Sequence, residues 1–283
     1  TDGGNLFIIG GNNINDAGDA GTSYDINTNG GTAFFNVSGN IGGTAWANSI
    51  EVADTHFDFT FSTPNSNTYI DAGLSTAELE ITGLDYNNAG NLNFNMRSTN
   101  GADIRISGAI EDSNTGSVET ADINLSTATL NGNIIINDGA AIRSEGGDIT
   151  LTAGNSVSLA EVWSAGGAIN ITAIDVLDNG TTASDINSGG TGIITLNLSG
   201  DFGGTSSATA IEVNNAIIDL NASGINQNFY VRTDSNQDIS IRDFDFNGTG
   251  TFSFNYDRTG SGDIRFTGTF ADSAGADDAA TLN

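Results

Sequence analysis

A period of twenty residues constrains this chain more than any other feature. IRSEGGDITLTAGNSVSLAE, beginning at Ile142, runs directly into VWSAGGAINITAIDVLDNGT. Ser144 stands above Ser164, Gly146-Gly147 above Gly166-Gly167, Ile149 above Ile169 and Leu151 above Ile171. A chain that returns to like residues at a short fixed interval is made of units that stack. A longer period overlies it. NLNFNMRSTNGADIRISGAIEDS, from Asn91, recurs 160 residues later as TFSFNYDRTGSGDIRFTGTFADS, from Thr251. ITGLDYN at Ile81 becomes IRDFDFN at Ile241, while SGNIGGT at Ser38 and SIEV at Ser49 return as SGDFGGT at Ser199 and AIEV at Ala210. Residues 1–283 therefore read as one continuous structure. It holds two copies of a long unit, about 25–125 and 185–283, joined by connecting rungs over about 126–180.

Within the units, apolar residues alternate. LNFNM (92–96), FDFTF (57–61), IRI (104–106), ITL (149–151) and INI (169–171) all have period two, the mark of a strand with one face inward. Gly, Asn, Asp, Ser and Thr clusters punctuate these runs, and no segment sustains a helical period. Short strands that return every twenty to twenty-five residues describe a coil whose rungs bury their apolar faces only by stacking. This is an all-β, parallel β-solenoid with negligible helix. Its core is expected to contain Phe57, Phe59, Leu92, Phe94, Ile104, Ile106, Ile149, Leu151, Ile169, Ile171, Phe252, Phe254 and Ile264. Gly146-Gly147 and Gly166-Gly167 should be stacked corners. A further corner is expected where the alternation skips Gly83, between Leu79/Ile81 and Leu84/Tyr86. The same skip separates Ile239/Ile241 from Phe244/Phe246. Rungs of about 22 residues give about 12–13 turns. Tandem antiparallel sandwiches are the rival architecture, but they give no reason for an in-register repeat.

Composition narrows the function. Seven Arg (97, 105, 143, 232, 242, 258, 265) and no Lys face 35 carboxylates, a net charge of −28. Nucleic acid and anionic membrane surfaces are excluded as partners, since both need clustered cations. No apolar run is long enough to span a membrane. The absence of Cys rules out disulfides, cysteine–zinc sites and thiol nucleophiles. The opening TDGGNLFIIGG has neither the basic start nor the apolar core of a signal peptide, so the chain reads as mature or as a piece of something longer.

The line GGDITLTAGNSVSL followed by SAGGAINITA resembles the filamentous-haemagglutinin-like exoproteins of bacteria, over residues 142–174. The resemblance implies a right-handed β-helix, export by two-partner secretion, and a structural or adhesive role at the bacterial cell surface. It carries no catalytic residues with it.

Calcium is the cofactor that the acidic turns suggest, because it takes oxygen ligands from Asp, Asn and backbone carbonyls. The candidates are Asp243 with Asp245, Asp277 with Asp278, and Glu111-Asp112. No segment matches an EF-hand loop. The lone histidine, His56, alternates outward with Asp54 and Asp58, a set that suits a transition metal. A solvated polar face is the preferred reading, since the second copy has Asn215, Ile217 and Asp219 there and so does not require the site. Asp103 with Arg105 recurs as Asp263 with Arg265, outward on either side of a core Ile. The pair reads as a surface ion pair or as a contact to another chain.

Catalysis needs converging activated groups. No serine motif, phosphate loop or zinc spacing is present, so a non-enzymatic role is expected. The alternative is a β-helical protein that binds or degrades polysaccharide. The leading expectation is a segment of an extracellular fibre or adhesin shaft. Its partners would be further copies of itself, axially or laterally, together with carbohydrate or another cell surface. Neither terminus carries a recognisable polar cap, so axial continuation is expected.

Overall fold

The computed structural model describes residues 3–16, 23–62, 65–73, 75–87, 90–113, 120–127, 131–180, 184–233, 236–258, 260–271 and 279–282. All its strand pairs are parallel, in one 16-stranded and one 12-stranded sheet that wind as a β-solenoid of about 10 turns. Among the described residues helix is confined to two 3₁₀ turns, Trp46–Asn48 and Ser207–Thr209, which occupy equivalent places in the two long copies. The sandwich alternative is excluded by the parallel pairing.

The twenty-residue match is a true stacking register. Ile142 pairs with Val162, Ser144 with Ser164, Ile149 with Ile169 and Leu151 with Ile171. Gly146 and Gly166 have φ of +132° and +121°, open to glycine and costly for other residues. At Gly167 a Cβ would overlap the Gly147 carbonyl oxygen and lie 2.6 Å from its carbon, so these corners stack backbone on backbone. Ser144 bridges inside the corner. Its Oγ donates to Ala121 O at 2.8 Å and accepts from Gly147 N at 2.9 Å.

The turn count is lower than the expected 12–13 because the rungs are longer and less uniform. Val176 lies 19 residues above Val157, Ile104 lies 25 above Leu79, and Ile142 lies 32 above Ile110. Steps of twenty residues recur at Ile50–Ile70, Ile142–Val162 and Ile211–Val231, with longer ones between them.

The phase skip is a corner, as expected. Strand Leu79–Asp85 shifts register against His56–Phe61 between Phe57 and Asp58, where Asp58 faces Gly83. Beyond it the face divides. Leu79–Ile81 continue into Ile104–Ile106, and Leu84–Asp85 into Ala109–Glu111. The two branches climb separately until bridges Val176–Phe202 and Phe202–Phe229 bring them together on strand Ile225–Thr233. In the second copy, Ile239–Phe246 divides in the same way into Ile264–Phe266 and Phe270–Ala271.

The two long copies do not sit on the same faces. Strand Ile50–Ala53 belongs to the 12-stranded sheet, and its counterpart Ile211–Asn214 to the 16-stranded one. Counterparts His56–Phe61 and Ala216–Ala222 are exchanged the opposite way. The repeat therefore spans a half-integral number of turns, and equivalent sites face opposite sides of the rod.

A single core fills the coil. Every expected core residue is buried except Ile264, which is half-buried against it. Aromatic rings stack along the axis at both ends, Phe35–Phe59 at 5.1 Å in the first copy and Phe202–Phe229 at 4.5 Å in the second. Stacked or tilted rings at such spacing add to the energy of burial.

Candidate functional site

At several corners a backbone N–H of the next rung takes a side-chain oxygen as its acceptor, since a buried N–H must be paired. This chain supplies a carboxylate or amide oxygen from the rung before. Asn40 Oδ1 accepts from Asn67 N at 2.8 Å, Asp103 Oδ1 from Asn133 N at 2.7 Å, Asp148 Oδ1 from Ala168 N at 2.7 Å and Asp201 Oδ1 from Asn228 N at 2.7 Å. The abundance of Asp and Asn thus has a structural cause. Two further corners use the same device, with Asp25 Oδ2 accepting from Glu51 N at 3.1 Å and Asp185 Oδ2 from Glu212 N at 2.8 Å.

At these two corners more carboxylates converge. Asp16, Asp25 and Glu51 bring one oxygen each to within 4.8 Å of one another, and so do Asp178, Asp185 and Glu212. Among the described residues no other three acidic or histidine side chains meet so closely. The triads are equivalents in the long repeat. They persist although Asp16 and Asp25 are nine residues apart while Asp178 and Asp185 are seven apart. Glu51 and Glu212 come from strands buried on both faces, which places each carboxylate under cover. Asp178 is held from the side by Gly180 N, which donates to its Oδ1 at 2.9 Å.

Three negative charges at this spacing repel strongly. At an effective dielectric of ~20, two unit charges ~4.8 Å apart cost about 3–4 kcal/mol. Burial and the neighbouring Asp25 and Asp16 push the Glu51 carboxyl up to about 7. Burial and the adjacent Glu212 raise the Asp185 carboxyl well above the ordinary aspartate range. The two sites differ in their relief. Glu212 is paired with Arg232, the residue beside it on the next rung. In the first copy that position is Asp71, and the arginine stands one rung further on as Arg97. Arg97 Nε donates to Asp71 Oδ2 at 2.9 Å, and its guanidinium lies 4.2 Å from the centre of the Trp46 ring. The second copy has Asp257 beside Arg232, so acid and base have exchanged rungs.

The residues singled out from the sequence fall elsewhere. Asp54 occupies a left-handed turn, φ +42°, while His56 Nδ1 lies 3.3 Å from Glu80 Oε2, so Asp54, His56 and Asp58 do not form a ligand set. Asp243 and Asp245 share a shallow open groove with Asp219 and Asn221, where Arg242 pairs with Asp219 and approaches Asp243 at 3.7 Å. Arg242 thus stands between Asp219 and Asp243, and Asp243 and Asp245 are not part of a converging acidic triad. Asp277 and Asp278 lie outside the described residues, and Glu111 is paired with Arg143.

Asp103 with Arg105 and Asp263 with Arg265 are not ion pairs within a strand. Arg105 grips Glu78 on the rung before with two bonds of 2.8 and 2.7 Å, and Arg265 lies 2.6 Å from the equivalent Asp238. Each arginine reaches diagonally, past its stacked neighbour Glu80 or Ser240, to the acid that lies beside Asp103 or Asp263 on the rung before.

Sequence reasoning missed both triads. I-E-V at 50–52 and 211–213 served there only as a marker of the repeat, and D-I-N at 25–27 and 185–187 was passed over. A carboxylate kept inside an apolar strand in both copies was the available signal.

Comparison of this chain with family models, with curated proteins and with solved structures returns no match.

Proposed function

We propose that this chain is a non-catalytic shaft segment of a bacterial extracellular fibre or adhesin, extended by further solenoid along its axis. The observation that carries this reading is the succession of parallel-paired strands, from Leu6–Gly10 through to Ala279–Leu282, around one continuous core. Such a body resists extension through many backbone bonds lying along its axis. Strand Leu6–Gly10 pairs with Thr32–Val37 on one side, and among the described residues it has no partner on the other. Phe7 and Ile9 on that strand remain 65% and 79% exposed. An edge of this kind accepts a further parallel strand. The dense acidic exterior keeps shafts apart laterally and soluble. The resemblance of residues 142–174 to filamentous-haemagglutinin-like exoproteins agrees with this reading and sets the expected location at the cell surface.

The test is sedimentation and negative-stain electron microscopy of purified residues 1–283. About 10 turns at ~4.8 Å each give a body ~48 Å long, and end-to-end multiples of that length should grow with concentration. A particle that stays monomeric up to millimolar concentration overturns extension by stacking.

A further inference from the structure

We propose that the triads Asp16–Asp25–Glu51 and Asp178–Asp185–Glu212 each bind one calcium ion, which clamps a solenoid corner on opposite faces of the rod. The donor set is oxygen only, which selects a hard divalent cation. Oxygens within 4.8 Å of one another fit around a common centre, since a calcium shell of radius about 2.4 Å spans twice that distance. A magnesium shell, of radius about 2.1 Å, is narrower and demands near-ideal octahedral geometry.

A second observation points to a ligand. Glu51 keeps only 6% of its surface exposed, and its Oε2 has no hydrogen-bond partner. Asp185 is fully buried, and its Oδ1 has none either. A carboxylate oxygen in that position has lost its water and gained no donor, which is costly unless a positive charge stands opposite it. Each of these two oxygens belongs to a triad, one in either copy of the long repeat.

The internal repeat gives a third argument. Around the triads the two copies have diverged: Ile41 became Phe202, Trp46 became Ser207 and Asp71 became Arg232. The spacer between the first two acids changed length as well. All three carboxylates nevertheless meet in both copies. A need for surface charge alone does not keep three repelling groups converging through such changes. The ion would join Asp16 or Asp178 to acids on two successive rungs.

The experiment uses residues 1–283 stripped with chelator. Calorimetric titration with CaCl2 should read two sites per chain. Glu51→Gln should remove one, Asp185→Asn the other, and the double variant both. Thermal melts give an independent readout. Without calcium each variant should melt at or above the parent, because an uncharged amide relieves the crowding. With saturating calcium each should melt below it. A merely structural carboxylate does not produce that inversion, and the melt in chelator shows that each variant folds. Calcium and magnesium raising the melting temperature equally at matched ionic strength, or either single variant still binding two ions, overturns the proposal.

Discussion

Gly167 is the position where the stacked-corner architecture makes its sharpest quantitative demand. Its φ is ordinary, so an alanine there incurs no left-handed penalty, and the whole cost is steric. The added Cβ overlaps Gly147 O, and lies 2.6 Å from Gly147 C and 2.8 Å from Gly146 O, all backbone atoms of the rung before. No side chain can rotate away, so the two corners must separate. The bonds that bind them are Ala165 N to Ser144 O at 2.9 Å, Ile149 N to Ala168 O at 2.8 Å and Ser164 Oγ to Gly147 O at 3.1 Å. Breaking two or three of these in a buried setting, at about 1–3 kcal/mol each, gives a loss of about 3–5 kcal/mol. Two other glycines separate the possible causes. Gly139 has φ +81° with open space around it, so alanine there should cost only the left-handed penalty, about 1–2 kcal/mol. Gly10 has neither constraint, and alanine should leave stability unchanged or raise it by up to about 1 kcal/mol. Urea denaturation followed by circular dichroism, with fluorescence from Trp163 beside the corner, measures all three. If Gly167→Ala falls within about 1 kcal/mol of Gly10→Ala, the corners are not in backbone contact and the reasoning fails.

Two further outcomes are expected. Arg143 bridges Glu161, through Nε and Nη2 at 2.8 Å each, and Glu111 on the rung before, with side chains 39%, 28% and 35% exposed. Arg143→Gln should cost about 1 kcal/mol at low salt and lose most of that in 0.5 M NaCl, so a cost independent of salt would refute a screened surface clamp. Burial raises the Asp58 carboxyl above the ordinary aspartate value. Because its folded value lies above its unfolded one, its stabilising contribution is complete at low pH and is lost as pH rises through the folded value. The stability gap between Asp58→Asn and the parent, followed by melts from pH 3 to 8, should therefore open with rising pH in favour of the variant; a gap that closes instead would contradict the sign.

The axial direction of the ion pairs bears on how scarce arginine is used. Parallel stacking places outward carboxylates of neighbouring rungs side by side along a column. One arginine can then relieve acids of the rungs on both sides, as Arg143 does with Glu111 beside it and with Glu161 diagonally across, next to the Trp163 that stacks on Arg143. Six of the seven arginines pair with a carboxylate of a neighbouring rung, while Arg258 reaches Asp263 only five residues on. The exchange of Asp71 and Arg97 for Arg232 and Asp257 keeps one base in each column while moving it by one rung.

What the sequence determined by itself was everything carried by near neighbours along the chain. Alternation at 92–96 and 57–61 fixed which side chains face inward, because a strand inverts its side chains at every residue whatever surrounds it. The skip at Gly83 and at Asp243 marked a corner because that inversion failed there, and the glycines at 146–147 and 166–167 marked one because only glycine tolerates the dihedral and the contact. The tertiary structure decided which rung lies above which, and on which face. That depends on how many residues each rung contains, and the steps range from 19 to 32 without a local signal that states the number. From this freedom come about 10 turns rather than 12–13, the half-turn that sets the two copies on opposite faces, and the pairing of Arg105 with Glu78 rather than Asp103. The triads belong to the same class of fact. Asp16 meets Asp25 across a spacer of one length and Asp178 meets Asp185 across another. Their convergence is a property of the stacked corner, where residues distant in sequence become lateral neighbours, and the linear order of the chain does not contain it.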